Sequence, residues 1–322
     1  MPNLNVGGQA VIEGVMMRSK DKVATAVRLP SGQIAVKSEN YISLSQRYKI
    51  LNIPILRGAV IFVEMLVIGI KTLNFSADIA IKEQEKIDAQ EKGENYQEKK
   101  SNSNSFMLGL TVLFALSLGI FIFFFLPLAI SDFFDIDKSA VSFNLVAGAI
   151  RLTMFVLYIW AISLFGEFKR IFEYHGAEHK SIYALEMGDD LTPQKAATHT
   201  RFHPRCGTSF IIIVALLAIL TYAISDTIYA IYTGTPPTLL ERFILHFSLL
   251  PIVAGISYEL LKLSGKTREN SITKTLIKPG LWLQRITTQE PSMEQLEVAI
   301  VALEAAMSIE KSNTTSEKMT VT

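Results

Sequence analysis

Cysteine is almost absent from this chain. Its 322 residues include one, Cys206, so no internal disulfide can brace the fold. An excess of charge of either sign is also missing. The 31 Lys and Arg against 30 Asp and Glu leave a net charge of +1, which excludes the broad basic field of a nucleic-acid binder. Charge is scarce altogether, at 19% of residues against about 25% in soluble domains. Residues 1–50 contain no apolar run of the length a secretory signal needs, so the first membrane segment is expected to act as its own insertion signal. No internal repeat of useful period is present. These absences exclude disordered, collagen-like and ordinary soluble readings.

What is present is clumped apolar sequence, in a composition that is 49% hydrophobic. A membrane-spanning helix needs about 20 mainly apolar residues. Residues 106–131 meet this with no charge at all. Residues 143–165 meet it around Arg151, and 209–232 meet it with Asp226 near the end. Residues 239–261 carry Glu241 and Arg242 at the start, His246 inside and Glu259 at the end. A charge in mid-span costs about 2.5–3.5 kcal/mol; Asp226 and Glu259 sit near span ends and are expected to reach water, whereas Arg151 needs a partner inside the bundle. Within 54–73, Arg57, Glu64 and Lys71 recur every seven residues and form one polar stripe on a helix. That pattern suits an amphipathic or re-entrant helix, lying in the interface or packed on the spans, better than a crossing.

The fold class expected is therefore an α-helical multi-pass membrane protein. It has about four transmembrane helices, one amphipathic helix and a small cytoplasmic α+β region. The expected organisation is a β-rich unit at 1–53, with a hairpin around Pro30-Ser31-Gly32, and the amphipathic helix at 54–81. A polar linker follows at 82–105 and a transmembrane hairpin at 106–165. A His/Cys loop at 166–208 leads to a second hairpin at 209–262. The chain closes with a helical segment at 263–310 and a polar tail at 311–322. Orientation follows from Lys and Arg in the short connections. The 166–208 loop holds six (Lys169, Arg170, Lys180, Lys195, Arg201, Arg205), 132–142 holds only Lys138, and 233–238 holds none. Both termini and the His/Cys loop are expected on the cytoplasmic side, where Cys206 stays reduced.

Four of the five histidines and the cysteine fall in that loop. His175 and His179 are four apart, as are His199 and His203. On a helix each pair shares a face one turn apart. Neutral imidazole and thiolate are the preferred donors for zinc and similar ions. The first cluster, His175-Gly176-Ala177-Glu178-His179, has the H-x-x-E-H order in which two histidines hold the ion and the glutamate acts as base. The metal set is thus expected from His175, His179, His203 and Cys206, with Glu178 and Arg205 as catalytic candidates. Arg205 would meet an oxyanion or phosphate. The glycines of GGQAVIEGVMMR (7–18) lack phosphate-loop order and read as tight turns. The Phe121–Phe125 run reads as lipid-facing bulk.

GGQAVIEGVMMR (7–18), FEYHGAEHKSI (172–182), HPRCGTSF (203–210), PGLWLQRITTQEP (279–291) and QLEVAIVAL (295–303) resemble the YqhQ family of bacterial membrane proteins. The family is a domain of unknown function described as predicted metal-dependent enzymes. The resemblance implies a cytoplasmic-membrane protein whose site is the His/Cys loop. The functional expectation is a hydrolase dependent on a divalent metal, with zinc foremost, acting on a membrane-associated substrate at the cytoplasmic face. The alternative is a non-catalytic scaffold in which the site is structural. The partners expected are the lipid bilayer and either a membrane-protein partner or a second copy.

Overall fold

A computed structural model describes residues 6–92, 105–136, 140–266, 270–308 and 318–320. The polar tail is outside this set, apart from 318–320. The sheet comes first in the chain: β1 (Gly7–Val11), β2 (Gly14–Arg18), β3 (Lys22–Arg28) and β4 (Ile34–Asn40). These form an antiparallel meander, and β5 (Lys318–Thr320) adds in parallel to the edge of β4. The β3–β4 turn falls at Pro30-Ser31-Gly32, with Gly32 at φ +86°. The helices follow: α1 (Leu44–Arg47), a 3₁₀ turn (Lys49–Asn52), α2 (Leu56–Glu91), α3 (Ser105–Ile120), a π turn (Phe121–Phe125) and α4 (Leu126–Phe133). Then come α5 (Ala140–Ser163), α6 (Gly166–Met187), α7 (Pro193–Ala197), α8 (Gly207–Thr233), α9 (Leu239–Lys266), α10 (Ser271–Thr287) and α11 (Met293–Met307). Helix α2 thus runs on into the stretch expected as polar linker.

Strand alternation buries both faces of the sheet. Val15 pairs with Ala26 and Met17 with Ala24, and this face packs on α6 and α11. Met16, Val23 and Val27 point the other way, onto Met65, Ile68 and Phe75 of α2. Helix α11 fits between sheet and α6 because Ala299, Ala302 and Ala306 are small and fully buried. Its start is set by a capping box between Ser292 and Gln295.

Four helical stretches are long and apolar enough to cross a membrane: Gly109–Phe133, Val141–Ser163, Gly207–Thr233 and Leu239–Leu263. They agree with the four expected windows to within three residues at every end. Two local expectations are corrected. The Phe run is not uniform lipid-facing bulk: it winds as a π turn, with Phe121 exposed and Phe124 buried. Arg151 uses this turn, donating from Nε to Phe123 O at 3.0 Å and resting over the Phe124 ring. Asp226 does not reach water. It is fully buried and accepts from Asn144 Nδ2 and His246 Nε2, both at 2.8 Å, while Arg242 Nε stands 3.3 Å away. The stripe on α2 divides as expected of a helix packed on the spans: Arg57 and Glu64 meet protein, while Lys71 is exposed. Arg57 makes a two-bond pair with Glu259 of α9, and buried Glu64 accepts from Ser43 Oγ and Leu44 N.

Candidate metal centre

Helix α6 carries the H-x-x-E-H sequence, and its 3.6-residue period puts His175, Glu178 and His179 on one flank. The two imidazole centroids are 4.5 Å apart. His175 Nδ1 lies 2.7 Å from Thr287 O, and His179 Nδ1 hydrogen-bonds Arg201 O. A carbonyl oxygen only accepts, so both Nδ1 atoms carry the proton and both Nε2 atoms present a lone pair. His175 Nε2 lies 3.2 Å from Cys206 Sγ. His179 Nε2 is buried and makes no hydrogen bond among the described residues. One ligand atom each from His175, His179 and Cys206 lie within 4.8 Å of one another.

This donor set fits a divalent ion. Tetrahedral bonds of about 2.0–2.3 Å to nitrogen and sulfur place donors about 3.3–3.6 Å apart, close to the His175–Cys206 separation. The orphaned Nε2 of His179 has in such an ion the partner that the protein does not supply. Burial holds the His179 imidazole below its ordinary range, against the pull of Cys206, which favours the neutral donor form. Cys206 is the N-cap of α8, and its sulfur accepts from Thr208 N and Oγ1. A helix N-terminus favours negative charge at this place.

Glu178 lies beside the three donors, its Oε2 3.8 Å from His175 Nε2. It is 5% exposed, and burial pushes its carboxyl up, opposed by His175, His203 and the Gly8 backbone N–H. Here the reading of Gly7-Gly8 as turn glycines is corrected. Gly8 lies within β1, where a Cβ would stand 2.8 Å from Glu178 Cγ and 2.6 Å from Met16 O. The glycine lets the strand cover the carboxylate. Gly14 likewise opens β2 rather than a turn, and a Cβ there would meet Ala26 O at 2.1 Å.

His203 stands outside this group of three. Its ring is near His179, with centroids 5.6 Å apart, but its ligand atoms are not gathered with those of the three. Nδ1 accepts from Arg205 N at 3.3 Å, and Nε2 faces Glu186 Oε1 at 3.6 Å. Glu186 also pairs with the Arg205 guanidinium. His199 pairs with Asp189 at 2.7 Å, away from the donors.

Sequence reasoning missed the outer clamp. Fully buried Gln284 of α10 grips the His203 peptide, accepting from its N–H at 2.7 Å and donating to its C=O at 2.8 Å. Arg201 Nη1 donates to Thr288 O at 2.6 Å. Buried Lys180 pairs with Glu290. Gln289 N donates to Phe172 O, and its carbonyl lies 2.0 Å from where a Gly176 Cβ would be. The distinctiveness of PGLWLQRITTQEP was the available signal, but nothing local ties it to histidines a hundred residues away. Replacing Gly176 with Ala is expected to push α6 off this segment. The cost is about 1–3 kcal/mol, the range for overpacking. Thermal unfolding in mild detergent should show a lower midpoint, and an unchanged midpoint would refute the close approach.

Comparison with known proteins places the chain among relatives. The family model described as "Protein of unknown function (DUF1385)" matches residues 53–309. The "Uncharacterized protein YqhQ" of Bacillus subtilis (strain 168) is 33% identical over 326 aligned residues, covering 97% of this chain and 95% of the relative. No solved structure matches the chain.

Proposed function

The chain belongs to the DUF1385 family of unknown function, and we propose that it is a divalent-metal-dependent membrane hydrolase. The substrate in this reading is membrane-associated, and the site works at the cytoplasmic face. One observation carries the proposal: three soft donors converge, and a buried carboxylate stands next to them. Three protein donors plus an open position is the pattern of catalytic zinc sites, whereas structural sites are closed by four. An ion held by His175, His179 and Cys206 would supply the polarisation of water or carbonyl that metal-assisted hydrolysis needs.

The protein's own groups have distinct parts in this reading. Thr287 O and Arg201 O fix the imidazole tautomers. Glu178 is the general base. A buried carboxyl pushed upward gives and takes a proton nearer neutral pH than an exposed one. Arg205 is a positioning residue: its backbone N–H bonds His203 Nδ1, and its guanidinium holds Glu186 beside His203 Nε2. The position of Cys206 at the first turn of a candidate span supports a membrane-surface location. The Lys and Arg bias supports the cytoplasmic side.

The second reading is a scaffold with a structural ion. It is favoured by the burial of the site, with His179 1% and Glu178 5% exposed. Glu178→Gln separates the two. The hydrolase reading expects this variant to keep its metal and fail to complement a deletion strain. Full complementation removes Glu178 as base. Loss of metal makes Glu178 a fourth ligand, which closes the site and favours the scaffold.

A further inference from the structure

Helix α2 is about 54 Å long at 1.5 Å per residue, well beyond the roughly 30 Å hydrocarbon core of a bilayer. Its two flanks are used differently. Along one, Met65, Ile68, Phe75 and Ile79 pack on the sheet, and Ser76 Oγ accepts from Ile12 N. Among the described residues α2 is not one of the helices long and apolar enough to cross a membrane, and its middle turns carry the sheet. Arg57 and Glu64, the polar residues of its first three turns, are consumed by Glu259 and by the cap of α1. The other flank is left apolar and uncovered: Phe62, Val63, Leu66, Val67 and Leu73 are 41–56% exposed.

This flank is continuous with the spanning helices. Phe62 packs on Phe210, in the first turn of α8, with centroids 6.0 Å apart. Gly58 crosses Gly255 of α9 so closely that a Cβ on Gly58 would lie 2.8 Å from Gly255 O. A Cβ on Gly255 would lie 2.2 Å from Ile55 O, and Ile55 itself is held at φ +71°, a costly conformation for a β-branched residue. The apolar surface extends upstream through Ile42, Ile50 and Ile53, which are 53–71% exposed. Between Glu39 and Glu64 there is no acidic residue, while Arg47 and Lys49 are exposed among these apolar side chains.

We infer that residues 42–73 form a monolayer anchor lying in the phospholipid leaflet at the His/Cys end of the bundle. The exposed flank of α2 sits among the acyl chains, and Arg47 and Lys49 sit at the headgroup phosphates. A segment with apolar residues on an exposed flank of its helix and basic residues just upstream is the type that lies in an interface. Continuity with the outer surface of α8 and α9 argues for lipid rather than a protein partner. The inference is independent of whether the His/Cys cluster holds an ion.

Tryptophan quenching tests it on the full chain. The two native tryptophans, Trp160 and Trp282, are replaced by Phe, and Val63→Trp or Val67→Trp is introduced separately. Each protein is reconstituted in phosphatidylcholine and phosphatidylglycerol vesicles with or without brominated acyl chains. Leu113→Trp on the first span and Met293→Trp on α11 serve as lipid-facing and water-facing references; both positions are exposed. The expected result is loss of emission at 63 and 67 with brominated lipid, matching position 113, and none at 293. Emission that bromine leaves intact and iodide quenches puts the flank in water and overturns the inference. Emission protected from both puts a protein or a second copy on it and also overturns the inference. Using two positions guards against one variant misfolding.

Discussion

His179→Ala protein, purified in mild detergent, is expected to contain no zinc where the wild type retains it. The reasoning starts from one atom. His179 Nε2 is buried, carries a lone pair and has no hydrogen-bond partner among the described residues. Leaving such an atom unsatisfied costs about 1–3 kcal/mol, and an ion removes that cost. With only His175 and Cys206 remaining from the cluster, coordination falls to two protein donors. Affinity then falls far below that of a three- or four-donor site. The same argument gives a stability readout. A ligand at 100 times its Kd stabilises the folded state by about 2.7 kcal/mol. Added zinc should therefore raise the unfolding midpoint of chelator-treated wild type by several degrees, and should not shift that of His179→Ala or His175→Ala. Elemental analysis and thermal unfolding check this together. A wild type that takes up no metal even after zinc is restored would refute the metal centre. Cys206→Ser adds information on its own: loss of the ion in that variant confirms the third donor.

Asp226→Ala is expected to be the most destabilising single change in the membrane-spanning part, at about 3–5 kcal/mol, the range for breaking a buried charge pair. Asp226 lies seven residues before the end of α8 and His246 seven residues after the start of α9, so both are deep within the helices. The carboxylate joins three helices, through Asn144 of α5 and through Arg242 and His246 of α9. Its removal deprives the Arg242 guanidinium, packed over the Phe143 ring at 3.5 Å, of its nearest counter-charge. It also deprives the His246 Nε2–H of its acceptor. Asp226→Asn keeps the hydrogen-bonding shape without the charge and should cost less. Unfolding in mixed micelles with rising SDS would measure both. A midpoint for Asp226→Ala equal to wild type would show that the pair contributes no stability.

The candidate spans and the donor spacing were legible because both are local. A run of apolar residues declares a crossing by its length, and His175 and His179 share a face because a helix repeats every 3.6 residues. The same local logic left open what the polar stripe of α2 faces. Periodicity shows that Arg57 and Glu64 share a side, but not whether that side meets water or protein. Glu259, which takes up Arg57, is 202 residues away. The glycines near the N-terminus were misread for a similar reason. Gly8 is needed by Glu178, 170 positions on, and no turn signal encodes such an approach.

Sequence by itself determined the material of this protein: four apolar helices, an amphipathic fifth, and imidazoles and a thiol gathered near the start of one span. Tertiary structure decided which donors meet. Cys206 closes on His175 across 31 residues, while His203, nearer to His179 in sequence, has its Nδ1 taken by Arg205 N and its peptide held by Gln284. The reason is physical: the direction of a lone pair depends on what holds the other ring nitrogen. Here those holders are Thr287 O and Arg201 O, backbone carbonyls whose positions only the packing of α6 against distant segments sets.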